Sequence, residues 1–143
     1  MFKKVLVPVD LQDAEFCLNP LKIALREVRD SGCELHMITV VPGYNNSIVS
    51  SFFNAKDHKA ALKLVAQALM DFAHEHVDEQ IKPVLKVFEG SAPEEINRYV
   101  RNNGMDLVVM RAHQRSKINE FLLGSVSARV VERAYCSVFV LKS

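Results

Sequence analysis

Three stretches of the chain carry side chains suited to chemistry. Pro8-Val9-Asp10 closes a short apolar run with a carboxylate. Met110-Arg111-Ala112-His113-Gln114-Arg115 closes another and brings one imidazole and two guanidiniums. Gly124-Ser125-Val126-Ser127 has the composition of a helix start, where free amide hydrogens and the helix dipole favour an anion. Gly124 would let a phosphate approach the backbone closely, and the Ser125 hydroxyl could add a hydrogen bond. Each piece also has an ordinary account. Asp10 could cap a turn, Arg111, His113 and Arg115 could be solvated loop charges, and Gly124-Ser125 could be a helix start alone. A fold that gathers all three decides between the accounts.

The pattern of apolar residues predicts such a fold. Val5-Leu6-Val7-Pro8-Val9 is continuously apolar, as a strand covered on both faces must be. Leu18, Leu21, Leu25 and Val28 follow at helical spacing and stop at Ser31-Gly32. Either Asp13 or the pair Asn19-Pro20 could start that helix. Leu35 to Val41 is a second strand, ended by Pro42-Gly43, and Leu62, Val65, Leu69, Phe72 and His76 mark a long amphipathic helix. Ile81 to Phe88 is a third strand. Ser91-Ala92-Pro93-Glu94 has the form of a capping box ahead of Ile96, Tyr99 and Val100, and Asn103-Gly104 ends that helix. Leu107 to Met110 is a fourth strand. A helix with Val126, Val130 and Ala134 inward and a last strand, Val138 to Leu141, complete the chain.

Strands alternating with helices predict an α/β fold, a single doubly wound open sheet of five parallel strands with helices on both faces. Pro83 cannot donate to a ladder, so the third strand belongs at an edge, while the first and fourth, almost wholly apolar, belong in the middle. The order 3-2-1-4-5 satisfies both conditions. Ligands of such sheets bind beyond the carboxyl ends of the strands, where the winding reverses. That point lies between strands one and four, where the three chemical stretches should meet.

Composition narrows the function classes. At 143 residues the chain suits one domain, 1–143, with 49% hydrophobic and 24% charged residues. Eighteen lysines and arginines against 17 acidic residues give no general reason to expect nucleic acid or an anionic membrane as partner. No apolar run approaches the roughly 20 residues that span a bilayer, and Pro8 and Asp10 interrupt any leader-like start. A cytoplasmic location is expected. Cys17, Cys33 and Cys136 are an odd number, far apart and without a Cys-x-x-Cys, which suits buried, inert thiols.

The opening Lys-Lys-Val-Leu-Val-Pro-Val-Asp resembles the universal stress protein family. So does the closing half, from Asp106 through His113-Gln114-Arg115-Ser116 and Phe121-Leu122-Leu123-Gly124-Ser125-Val126 to Val138. The likeness covers the whole chain and is weakest between Pro42 and Asp57. It implies the adenine nucleotide alpha hydrolase-like fold and a bound adenine nucleotide, ATP or AMP, with any Mg²⁺ arriving on the nucleotide. Nucleotide-binding members carry Gly-x-x-Gly, nine residues, then Gly-Ser or Gly-Thr. Here Gly124-Ser125 is intact at the right spacing, but Arg111 and Gln114 stand at the first two glycine positions. By the same resemblance, Asp10 after Pro8 bonds the ribose or adenine end, and the backbone of Val9 and Val40 borders the base. Met110 to Arg115, with His113, wraps the phosphates, and Gly124 to Ser127 receives them. It also implies a homodimer joined through Val138, Phe139, Val140 and Leu141, consistent with an edge strand whose unpaired backbone is a template for a second copy.

Other signals are weaker. Histidines two apart on a helix diverge, so His74-Glu75-His76 reads as solvated surface rather than a zinc site. His36 reads as a packed or edge histidine. Asp10, Asp13 and Glu15 could gather Mg²⁺, although Mg²⁺ leans on substrate oxygens and few carboxylates. No nucleophile–base pair is visible, which limits catalysis to slow hydrolysis of a positioned triphosphate. Tyr44 to Phe53 reads as a surface loop, or as a lid or partner surface. The leading expectation is a nucleotide-binding regulatory module read by an unknown partner. The competing ones are a nucleotide-free dimeric interaction module, with Arg111 and Gln114 packing the crevice, and a slow ATPase.

Overall fold

The computed structural model describes residues 1–41, 43, 55–112 and 124–142. The loop expectation for Tyr44 to Phe53 lies outside them. Strand β1 (Lys4–Pro8) leads through a 3-10 segment, Leu11–Cys17, into helix α1 (Leu18–Ser31) and strand β2 (Glu34–Val41). Helix α2 (Ala55–His76) precedes β3 (Val84–Glu89), and α3 (Ala92–Asn103) precedes β4 (Leu107–Arg111). Helix α4 (Ser125–Arg133) and strand β5 (Ser137–Leu141) complete the order.

The five strands form one parallel sheet in the order β3-β2-β1-β4-β5, as the sequence predicts. Alternation along the strands separates two apolar layers. Val5, Val7, Val9, Leu35, Met37 and Val109 face Leu21, Leu25, Leu69 and Phe72 of α1 and α2. Leu6, Ile38, Val108 and Met110 face Ile96, Tyr99 and Val100 of α3 and Val130 of α4. Both faces of the central strands are therefore covered, and their sequence is continuously apolar for that reason.

Three local expectations need correction. Neither Asp13 nor Asn19 opens α1: it begins at Leu18, running directly out of the 3-10 segment, and Asp13 sits at a non-helical kink within that segment. Strand β3 begins at Val84 rather than Ile81, so Pro83 precedes the ladder instead of lying in it. The strand is at an edge nonetheless. Ser91 does cap α3, but its side chain makes no capping hydrogen bond, and Pro93 in the first turn removes a donor that would otherwise want one. Both helix stops are confirmed, since Gly32 and Gly104 take left-handed conformations at φ 69° and 64°. Among the described residues no helix is long and apolar enough to cross a membrane.

Candidate functional site

Strands β1 and β4 are joined at one end and parted at the other. At their amino ends both carboxylate oxygens of Asp106 accept backbone hydrogen bonds, from Lys3 at 2.8 Å and from Lys4 at 3.0 Å. The Asp106 amide donates back to the Lys4 carbonyl. The ladder then runs only through Val5↔Leu107 and Leu6↔Val108. Beyond that, β1 stays with β2, where Pro8 stands opposite Ile38 and the Val9 amide donates to the Ile38 carbonyl at 2.8 Å. Strand β4 stays with β5, pairing Met110 with Val140 and Arg111 with Leu141. The sheet thus divides at its carboxyl edge, between the strands where the winding reverses, which is where open parallel sheets hold ligands.

Asp10 stands exposed just past β1. Its Oδ1 accepts the Gln12 amide at 3.0 Å and caps the 3-10 segment, so the ordinary account of Asp10 holds for that oxygen. The Asp10 amide donates to Cys17 Sγ at 3.3 Å, tying the end of the segment to its beginning. Burial pushes the thiols of Cys17, Cys33 and Cys136 up from their ordinary range, which keeps them protonated and unreactive. Across the gap, Arg111 ends β4 and lays its guanidinium carbon 4.6 Å from the centre of the Phe16 ring. The two lips of the crevice therefore touch through this stacked pair.

The remaining expected residues divide by what their side chains do. Val9 and Met110 are buried in opposite apolar layers, so only their backbones border the crevice edge. Val40 is half-buried on β2 opposite Phe88. Gly124 caps α4 at φ −61° and ψ 159°, a conformation open to any residue, so its glycine is not needed for the turn itself. Ser125 is exposed in the first turn, whereas Val126 packs toward the core. The Ser127 hydroxyl is buried and donates to the Gly124 carbonyl at 3.1 Å, a structural bond that removes it as a free ligand group. His113, Gln114 and Arg115 lie outside the described residues. Sequence reasoning missed Phe16, because an aromatic residue in a short segment between strand and helix looks like ordinary core.

Two histidine regions are described. His74 is exposed and His76 leans on the Phe72 ring at 4.8 Å, while no three His, Cys, Asp or Glu side chains gather among the described residues. His36 is a packed histidine, 6% exposed, with Nδ1 2.6 Å from the Tyr99 hydroxyl.

The family model for the universal stress proteins matches residues 1–142. The chain belongs to the universal stress protein family. Two relatives from Methanocaldococcus jannaschii carry the same family name. Universal stress protein MJ0531 is 26% identical over 150 residues, covering 99% of this chain and 83% of its own. MJ0577 is 28% identical over 160 residues, covering 99% and 96%. The solved structure of MJ0577 superposes with a TM-score of 0.69 at 25% identity, over 99% of this chain and 96% of that one. Two further family structures share the fold and contain nucleotides. One, with cAMP, has a TM-score of 0.69 at 20% identity and covers 99% of this chain and 98% of its own. The other, from Archaeoglobus fulgidus with dAMP, has a TM-score of 0.62 at 19% identity and covers 97% of each chain.

Proposed function

We propose that this universal stress protein binds an adenine nucleotide of the AMP type at the carboxyl edge of its sheet. Binding there would serve regulation rather than strong catalysis. The observation that carries the reading is the parting of β1 and β4 after Leu6↔Val108, with Asp10 on one lip and Arg111 on the other. The cAMP and dAMP complexes of two family structures support the class of ligand. Asp10 and the backbone of Val9 and Val40 take the nucleoside. The segment 110–115 and the start of α4 at Gly124 take the phosphate. Gly124 suits this division because a residue without a side chain lets a phosphate approach the first amides of α4 closely. Where ATP is the ligand, Mg²⁺ enters on the phosphate oxygens, its usual mode of binding. Occupancy stabilises the fold by mass action, by roughly 2.7 kcal/mol at a hundredfold excess over the dissociation constant.

The protein is tested as purified. Denaturation should release material absorbing near 260 nm, or calorimetry should show saturable binding of AMP. A protein that carries no nucleotide and takes up neither AMP nor ATP at millimolar concentration would leave the nucleotide-free interaction module as the function.

A second observation favours a homodimer through β5. This strand is a sheet edge with Phe139 47% exposed, and Val131 and Tyr135, in the chain leading to it, are exposed at 43% and 78%. Apolar groups along an unpaired strand suit a second copy of the same strand.

A further inference from the structure

We propose that Arg111 is the cation that receives the nucleotide's phosphoryl group, and that it sets the crevice's preference for a nucleoside monophosphate over the uncharged nucleoside. This rests on the nucleotide reading above and assigns one residue the choice among its ligands. Arg111 occupies the last position of β4, opposite Leu141 and on the side where β1 has turned away. Its guanidinium carbon lies over the Phe16 ring, 4.6 Å from the centre. A ring at this distance attracts the cation but supplies no hydrogen-bond acceptor of the strength of a phosphate oxygen. Among the described residues no carboxylate lies within ion-pair distance of Arg111, and its Nε is buried with no hydrogen-bond partner.

A buried donor left unpaired is costly, and an arginine edge fits two phosphate oxygens at once. Asp10 and Asp13 lie near enough to act, with Arg111, on the Cys17 thiol, so the cation sits in a carboxylate-bearing neighbourhood without being paired to it. That arrangement keeps the guanidinium available while its position is held by an aromatic shelf. Phe16 is thus a positioning residue, acting on the ligand only through Arg111. A neutral nucleoside offers the guanidinium no anion, whereas a phosphomonoester offers it charged oxygens to pair with.

The test compares AMP with adenosine by calorimetry on the wild-type protein and on Arg111→Gln, Arg111→Lys and Phe16→Leu, with thermal unfolding of each recorded. The wild type should bind AMP far more tightly than adenosine. Arg111→Gln should weaken AMP by about 10- to 100-fold, the range for a lost hydrogen bond to a charged group, and leave adenosine within about twofold. Arg111→Lys, which keeps the charge but not the fork, should fall between the two, and its folding covers the case in which the glutamine variant does not fold. Phe16→Leu should lower AMP affinity and again spare adenosine. An Arg111→Gln protein that binds AMP as the wild type does would overturn the role of Arg111 and leave the nucleotide reading standing. Equal losses for AMP and adenosine would make Arg111 merely structural. A wild type that binds neither ligand would end both.

Discussion

His36 is the clearest case of a side chain whose chemistry is set by burial. It lies on β2 against α3, hydrogen-bonded to Tyr99 through Nδ1, and its Nε2 is buried without a partner. Burial holds its pKa below the usual 6.5, although Glu34 pulls it upward, and Lys4 adds a smaller push down. The unfolded chain therefore binds a proton at a pH where the folded one does not. Stability contributed by neutral His36 is complete above about pH 6.5 and falls as acid carries the pH down through the folded value. Denaturant midpoints measured from pH 7.5 to 5 should decline for the wild type and decline less for His36→Phe. Parallel curves for the two proteins would show that other groups carry the acid sensitivity. Asp106 makes a second prediction. Replacing it by Ala removes two backbone hydrogen bonds at the amino ends of β1 and β4 and should cost about 1–2 kcal/mol, read from urea unfolding. Asn, which keeps an acceptor, should cost less.

The elements were legible where a single physical requirement shaped them. Burial on both faces forced the apolar runs of β1 and β4, and a left-handed stop after α1 and α3 required Gly32 and Gly104. Gly104→Ala should accordingly destabilise by about 1 kcal/mol or more, because any side chain there strains a φ of 64°. Where two devices compete, the sequence does not choose. Asp13 and Asn19 both look like helix caps, yet Asp10 caps the segment that actually follows β1. Ser91 has the spacing of a capping box, but α3 forms without its side chain. Strand β3 starts at Val84, three residues later than the expected Ile81, since Pro83 cannot donate to the ladder. Gly124 is the useful inverse, a glycine whose backbone conformation demands nothing. Gly124→Leu should keep the fold, shown by an unchanged circular dichroism spectrum, and lose nucleotide affinity by steric exclusion. Unchanged affinity would move the phosphate away from α4.

For the molecule as a whole, the strand order was correct although one of its two grounds was not: Pro83 lies before the ladder, while the apolar β1 and β4 do sit inside the sheet, where topology is narrowly constrained. The site was legible as a location and less so as a set of contacts. Type and position single out Asp10 and Arg111 as candidates, and the structure places them on the two sides of the parting, but the contact between Phe16 and the end of β4 is long-range and no local pattern encodes it. The hydroxyl bond from Ser127 to the Gly124 carbonyl was not legible for a similar reason, as it depends on the helix having formed. The exposed edge at β5 leads to a prediction about assembly. Phe139→Glu should convert a two-fold dimer to a monomer in sedimentation velocity without changing thermal stability of the monomer fold. A wild type that remains monomeric at every concentration would refute pairing through this strand.

The most direct check is a titration of the ¹⁵N-labelled protein with AMP, followed through backbone amide shifts. Val9, Asp10, Arg111 and the amides from Gly124 to Ser127 should move together and saturate with one dissociation constant, while β3 and the amino ends of the strands stay still. Shifts confined to the opposite edge of the sheet, or none at millimolar AMP, would contradict a nucleotide site where β1 and β4 part.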